Sequence, residues 1–487
     1  MTDSPTRRTA IVIGGGVSGL LAARQLRAAG LRVTLLEARE HLGGAVGAHE
    51  VASLMLDSGA ESFATRSTAV STLIEELGLK DKIVTPNALG SWLYLPQGAR
   101  KMPSSGIMGI PGDLNDKSLI DVLGKGGLRR AQLDRVLPIA ATEKIRTLGE
   151  LVRVRMGRSV LDNLVAPVVS GVYSSHPDSL DIDATIPGLR AAMRTHRSLA
   201  GASAALRAAS PAGSQVASLA GGMNQLTEAL VRDIQAAGVR IIAGFDVIAV
   251  DRDPATGQWL MIQKNTVGGD KIATARADYL VIASDGPTTA RLLAPHIEGP
   301  ALPVIEPGPE VALVTLVVDQ KLLNSNPRGT GLLVSDQVRG VRAKALTHAS
   351  AKWDWVRDAT IDSRHVVRLS YGRGGEDSRF NDVSLSDEQL ITLGMHDATK
   401  LMGVPITGEQ LVDADVIRWR GVLPAATPGY RDRVQNFRTR VAELDNVCII
   451  GSWAAGSGLV KVVGDTTTQV QGFLKRHSYA DQLHTDS

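Results

Sequence analysis

The chain has 487 residues, 44% hydrophobic and 21% charged, which supports a packed globular core divided into two or three domains. Its net charge of +3 is scattered, and the densest basic stretch, "GLRRAQLDR", carries an acid, so the pattern argues against nucleic-acid binding. One cysteine rules out a disulfide framework, and no apolar run approaches the roughly 18 residues of a membrane span.

In chain order, "MTDSPTRRTA" has no apolar segment of signal-peptide type, so a cytoplasmic, soluble protein is expected. Residues 9–13 read as a short apolar strand. The helix after Gly14 runs through "SGLLAARQLRAAG" and stops at Gly30, and "LRVTLLE" is the next strand, which completes a βαβ unit. Residues 95–209 are mostly helical in pattern. "SLAGGMNQLTEALVRDIQAAG" is a glycine turn leading into an amphipathic helix. The segments "VRIIA", "FDVIAVDRD", "QWLMIQK", "KIATARA" and "YLVIAS" are spaced as an antiparallel meander ending in a return strand. "VALVTLVV", "GTGLLVS" and "HVVRLSYG" read as further strands, and "SDEQLITLGMHDATKLMG" as a helix. The tail is strand, glycine loop and helix, with Cys448 in "NVCIIG" as a small core hydrophobe.

The stretch "IVIGGGVSGL" carries the chemistry. Gly14 allows a tight turn after the strand, Gly16 lets the backbone approach a pyrophosphate, and Gly19 lets the helix pack closely on the sheet. Val17 and Ser18 open that helix, whose free N–H groups face the phosphates. Glu37 ends the second strand 18 residues past Gly19, where a carboxylate accepts ribose hydroxyls and disfavours a 2′-phosphate. "EAREHLGGAVGAHEV" continues through Ala38 and Arg39 to the pair Gly43 and Gly44, then Ala45. "LDSGAESFA" adds Gly59, Ala60, Glu61 and Ser62. A second glycine loop suits the long, flat remainder of FAD, for which an NAD enzyme has no need. The ten histidines lack metal-ligand spacing, so no metal is expected.

These segments resemble the flavin-containing amine oxidase superfamily, in which the acid is followed by a GG pair. "IIGSWAAGSGL" is similar to the superfamily's second flavin segment, bringing in Gly451, Gly456, Gly458, Leu459 and Val460. "APVVSGVYSSHPDSLDIDATIPGL", "SLAGGMNQLTEAL", "KALTHASAKW" and "RWRGVLPAATPGY" resemble the coproporphyrinogen III and protoporphyrinogen oxidases over nearly the whole chain. Three departures stand out. Ala45 replaces a basic residue after the GG pair, His176 stands where an acid is typical, and "LPAATPGY" lacks an aromatic and a histidine. Arg39 or backbone amides would then meet the phosphate charge.

The resemblance implies an α/β fold with α+β insertions: a Rossmann-type FAD-binding domain interrupted by a substrate-binding domain and a helical region. Residues 1–95, 215–300 and 415–487 would form the FAD domain, 96–214 a largely helical insertion, and 301–414 the substrate-binding strands and helices. It also implies FAD-dependent oxidation of a porphyrinogen by O2, six electrons in all, with hydrogen peroxide released during haem biosynthesis. No catalytic acid or base is expected, since the flavin carries the chemistry. Gly171 would let a broad macrocycle approach, Arg66 could pair with a propionate, and Tyr173 could line the same wall. Trp419 resembles a tryptophan beside the flavin, and the backbone at Val247 would meet adenine. His176 and His196 read as solvated or capping residues.

The basic chain, without an apolar membrane-docking stretch, favours coproporphyrinogen III over protoporphyrinogen IX. A downstream ferrochelatase is the expected transient partner, though the sequence offers no docking patch for it. Rival readings are an amine oxidase, a carotenoid desaturase or a non-catalytic protein like the GDP-dissociation inhibitors. Scarce aromatics, missing long apolar segments and intact flavin-facing glycines weigh against them in turn.

Overall fold

The computed structural model describes residues 8–103, 106–209, 216–267, 271–300, 302–361, 363–373 and 382–477. Its organising element is a five-stranded parallel sheet. Across the sheet the strands run Arg240–Ala243, Arg32–Glu37, Thr9–Ile13, Tyr279–Ile282 and Val447–Ile449. Apolar runs such as Ala10–Ile13 and Tyr279–Ile282 are buried because both faces of a parallel sheet are covered. The helices Val17–Ala28, Asn224–Ala236 and Leu459–Arg476 share a core with one face. On the other face lie a three-stranded antiparallel sheet, Phe245–Arg252, Trp259–Asn265 and Ile272–Ala277, and the helix Tyr430–Val441.

One expectation changes here. "VRIIA" does not open the meander but pairs in parallel with Arg32–Glu37 at the sheet edge, while "YLVIAS" is the expected return strand, lying beside Thr9–Ile13. Only the middle three segments are antiparallel. Local alternation signals a strand, but the choice of neighbour is made by chain connection and sheet burial. Cys448 lies in the last parallel strand, and burial pushes its thiol up to about 12, so it stays protonated as a core hydrophobe.

The second sheet has seven strands. Leu411–Trp419, Val311–Asp319, Arg364–Tyr371, Ala345–His348, Gly331–Val334, Trp92–Leu95 and Gly98–Lys101 follow one another across it. Its pairs are antiparallel except Gly331–Val334 with Trp92–Leu95. This sheet therefore takes strands from before the boundary expected at 95 and from past the one expected at 415. The helix Asp387–Met402 packs into its core, started by a reciprocal cap between Ser386 and Gln389.

Between residues 119 and 208 the chain is helical, as expected. The helices Leu119–Gln132, Leu148–Met156, Ala166–Tyr173, Leu189–His196 and Leu199–Ala208 enclose one apolar cluster. A fully buried ion pair ties this layer together. Arg155 Nε donates to Asp134 Oδ1 at 2.6 Å, while the Asp134 carboxylate accepts from the backbone N–H of Leu199 (3.0 Å) and Ala200 (2.8 Å). One carboxylate thus pairs a guanidinium and caps a helix. Removing it strands a buried cation, so Asp134→Ala should cost ~3–5 kcal/mol in this layer. Urea denaturation followed by circular dichroism would measure the loss.

Candidate functional site

The site is assembled where the parallel sheet, its first glycine turn and the seven-stranded sheet meet. Gly14 is left-handed at φ +105°, and a Cβ there would lie 2.7 Å from the Ala283 carbonyl oxygen. At Gly19 a Cβ would fall 1.8 Å from the Gly14 carbonyl oxygen. Only glycine allows the helix to start this close to the strand. Gly14 N donates to Leu36 O at 2.8 Å. Gly15 N donates to Glu37 Oε2 at 2.6 Å, and Arg39 N to Glu37 Oε1 at 2.9 Å. Glu37 thereby braces the turn, and each oxygen keeps a lone pair for a ligand hydroxyl. Val17 and Ser18 begin the helix behind Gly16, with no acid in its first turn. That combination of free amides and a positive helix end suits a pyrophosphate.

The second glycine loop lies directly against the first. Gly43 N donates to Gly15 O at 2.8 Å, and Gly44 approaches the Gly16 Cα so closely that a Cβ would stand 3.3 Å away. Gly16 itself faces open space, with no atom within 4 Å of a would-be Cβ. Ala60 N donates to Ala45 O at 2.8 Å, joining the loop at Gly59 to the GG pair. Trp419 ends its strand buried, donating from Nε1 to Ser58 O at 2.7 Å, and the exposed Arg39 guanidinium stands 4.8 Å from its ring centre. Ala38 O accepts from Thr266 Oγ1 at 2.6 Å. Val247 lies buried at a bulge in its strand, where the ladder to Trp259–Asn265 is irregular.

At the other end of the site, Gly451 precedes the short helix Ser452–Ala455, and Gly458 is the N-cap of the helix that Leu459 and Val460 begin. Gly458 also faces open space. Ser457 Oγ, in this loop, is buried with no hydrogen-bond partner among the described residues. A buried orphan hydroxyl, two open glycine faces and a braced acid are what an extended dinucleotide would satisfy, and the residues fit FAD.

Sequence reasoning missed the groups that lock the Gly59 loop. The largely buried Glu61 carboxylate pairs with Lys352 Nζ through Oε1 and with Arg368 Nη2 through Oε2, the latter at 2.8 Å. Arg368 Nη1 also donates to the carbonyls of Asp57 and Gly59, each at 3.1 Å. Burial alone would raise the Glu61 pKa, but the Lys352 and Arg368 charges outweigh it and hold the carboxyl at about 2. The Glu61 side chain, expected to serve the cofactor, is thus committed to two cations. Ser62 follows it, partly buried. A charged residue inside the apolar strand "HVVRLSYG" was the signal available for Arg368.

The substrate-side candidates are not all of one kind. Arg66 is exposed, and its charge acts on both Tyr173 and Lys461. Tyr173 is buried and donates from its hydroxyl to Thr185 O at 3.0 Å. At Gly171 a Cβ would stand 2.8 Å from Leu333 Cδ2, so this glycine lets the helix seat against the strand Gly331–Val334. His176 caps a turn through Nδ1, which accepts from Asp178 N at 3.2 Å. Its pKa is raised by Asp336, whose carboxylate lies 3.5 Å from Nε2. His196 ends the helix Leu189–His196 and is exposed.

Two variants test the locked loop. Glu61→Ala leaves two cations without their counter-charge and should cost ~3–5 kcal/mol. Gel filtration followed by the visible flavin spectrum should show cofactor loss. Asp57, whose Oδ1 accepts from Met223 N at 2.7 Å, has its pKa raised from 3.8 to about 7, by burial first and against the Arg368 charge. A carboxyl raised on folding stabilises the native state below its unfolded pKa, and that contribution is lost as pH rises through 7. Asp57→Asn keeps the acceptor, so it should gain on the parent between pH 4 and 8, by at most ~4 kcal/mol. Thermal unfolding across that range would detect it.

The profile of the flavin containing amine oxidoreductases matches residues 17–461. The coproporphyrinogen III oxidase of Mycobacterium tuberculosis is 28% identical, with 94% of this chain and 96% of the relative covered. That of Bacillus subtilis is 26% identical over the same shares. A solved protein from Exiguobacterium sp. 255-15, provisionally named a protoporphyrinogen oxidase, superposes with a TM-score of 0.81 at 27% identity. It covers 97% of this chain and is itself covered completely. Among the described residues, no helix is long and apolar enough to cross a membrane. The fold, the glycine cradle and a match over nearly the whole length agree: the chain is an FAD-binding oxidoreductase and belongs to the flavin containing amine oxidoreductase family.

Proposed function

We propose that the protein oxidises coproporphyrinogen III to coproporphyrin III in haem biosynthesis, with dioxygen as acceptor. The observation that carries this reading is the likeness to coproporphyrinogen III oxidases across 94% of the chain. Removal of six hydrogens from the macrocycle would be balanced by reduction of three O2 to three H2O2. When bound, the flavin supplies hydride acceptance from carbon and reoxidation by dioxygen.

The protein's own part is binding and orientation. In this reading Gly14, Gly16, Val17, Ser18, Gly19, Gly43, Gly44 and Ala45 hold the pyrophosphate, and Glu37 holds the ribose. Ala38, Arg39 and the backbone of Val247 border the adenosine, while Gly59, Ala60, Glu61, Ser62 and Trp419 back the flavin. Gly451, Gly456, Gly458, Leu459 and Val460 meet its ribityl and pyrimidine end. Arg66 stands on the substrate side with the wall formed at Gly171 and Tyr173. A cytoplasmic setting suits the single buried cysteine, and a ferrochelatase would take the porphyrin onward.

Protoporphyrinogen IX is the second reading, favoured by the name of the Exiguobacterium protein. Aerobic turnover of both porphyrinogens, followed by porphyrin fluorescence and peroxide yield, separates the two. A kcat/KM at least tenfold higher for the four-carboxylate substrate is expected. Preference for protoporphyrinogen would overturn the first reading, and a yellow protein that turns over neither would overturn both.

A further inference from the structure

Lys461 is the third residue of the helix Leu459–Arg476, whose first turn holds no acid. The amides of a helix concentrate positive charge at its start, so a cation is favoured in the last turn and opposed in the first. Lys475 and Arg476, in the last turn, follow that rule, and Lys461 breaks it. The position is also partly buried, and the Lys461 side chain makes no hydrogen bond or ion pair among the described residues. Asp465, one turn along, is already held by Arg438 through both carboxylate oxygens, at 2.9 and 2.6 Å. Burial, with no carboxylate to offset it, holds the Lys461 ammonium below its usual range.

The side chain folds back over the glycine loop that precedes the helix. A Cβ on Gly456, left-handed at φ +100°, would stand 3.2 Å from Lys461 Cδ and 3.5 Å from Nζ, so stem and ammonium both lie against that loop. In the same loop the Ser457 hydroxyl is buried with no partner among the described residues, and Gly458 opens onto free space. A cation, an orphan hydroxyl and the free amides of a helix start thus share one short segment, and all three suit negative charge on a ligand. The pyrophosphate is served by the other helix start, at Val17. A different negative charge is therefore needed here. The oxidised flavin ring is neutral, and uptake of two electrons and one proton makes it an anion with its charge at the pyrimidine end.

We propose that Lys461 supplies the positive charge that stabilises the reduced, anionic flavin and so raises the reduction potential of the cofactor. The inference rests on the placement of Gly456 and Gly458 at the ribityl and pyrimidine end, and deepens that reading. The lysine opposes the empty fold and is compensated only when the ligand carries charge, so its effect falls on the reduced state more than on the oxidised one.

The test compares flavin-loaded wild type, Lys461→Met, Lys461→Gln and Lys461→Arg. Two readouts need no porphyrinogen. One is the two-electron midpoint potential against a reference dye; the other is the Kd of sulfite, which adds to the oxidised ring and leaves it anionic. Each neutral variant should weaken sulfite binding about tenfold and lower the potential by about 30 mV, the equivalent of tenfold for two electrons. Lys461→Arg should recover most of both losses, and the Kd of the apoprotein for oxidised FAD should move less than twofold. Unchanged sulfite binding and potential in the neutral variants would overturn the proposal. Weaker retention of oxidised FAD at unchanged potential would also overturn it and assign the lysine to the pyrophosphate. A change confined to the porphyrinogen KM would overturn it in favour of a substrate contact. Wild type that takes up no FAD would remove the flavin placement and this charge with it. Variants that show the shift, in a protein that turns over no porphyrinogen, would support the charge and remove the substrate reading alone.

Discussion

The Glu61 carboxylate sits between Lys352 and Arg368, and that contact ties the Gly59 loop to the seven-stranded sheet. Glu61 follows the Gly59 loop, whereas Arg368 belongs to the seven-stranded sheet and Lys352 to the short helix next to it. Arg368 also fastens the carbonyls of Asp57 and Gly59, so one guanidinium holds the loop through both backbone and side chain. A largely buried ion pair of this kind adds little net stability over an apolar contact, while its hydrogen bonds fix the direction of the carboxylate. For a loop that must lie flat against a cofactor, that geometric exactness matters more than the energy.

Other joints follow the same pattern. Lys344, fully buried in the seven-stranded sheet's core, donates to Ser174 Oγ at 2.5 Å and to Gly372 O at 2.7 Å. Ser174 is the left-handed cap that ends the helix carrying Gly171 and Tyr173. The helix is thereby clamped at its end by Lys344 and seated along its side by Leu333. Asp134 and Arg155 do the equivalent inside the helical layer. Apolar burial supplies the bulk of the driving force in each region, while the polar groups at the seams choose one arrangement among similarly packed ones.

What the sequence disclosed was local. The turn at Gly14, the acid at Glu37 and the GG pair lie within a few residues of their elements and were readable from spacing. The final glycine loop was readable by its resemblance to a family segment, and the bracing of the turn by Glu37 appeared only in the structure. The groups that lock them were not readable, because Arg368 and Lys352 lie 307 and 291 residues from Glu61. The same distance hid the pairing of Trp92–Leu95 with Gly331–Val334, which moves one sheet boundary. Gly171 shows another limit. Its lack of a side chain was legible, but whether that space serves a ligand or Leu333 depends on a strand far along the chain. The edge strand Arg240–Ala243 had a strand-like pattern whose partner no local signal named.

The order of the chain has a consequence for its synthesis. The first βαβ unit leaves the ribosome early, yet its sheet is finished only by Val447–Ile449, and the helix Val17–Ala28, which also packs on Asn224–Ala236, gains its second helical partner only when Leu459–Arg476 appears. Arg368 likewise arrives long after the loop it holds. Contacts this distant in sequence are slow to form, because the intervening chain must be closed into a loop before they contribute. The nascent protein must therefore carry an incomplete nucleotide cradle through most of translation. Cofactor capture then waits for the helix Leu459–Arg476, and a chain truncated before that helix should never acquire a closed site.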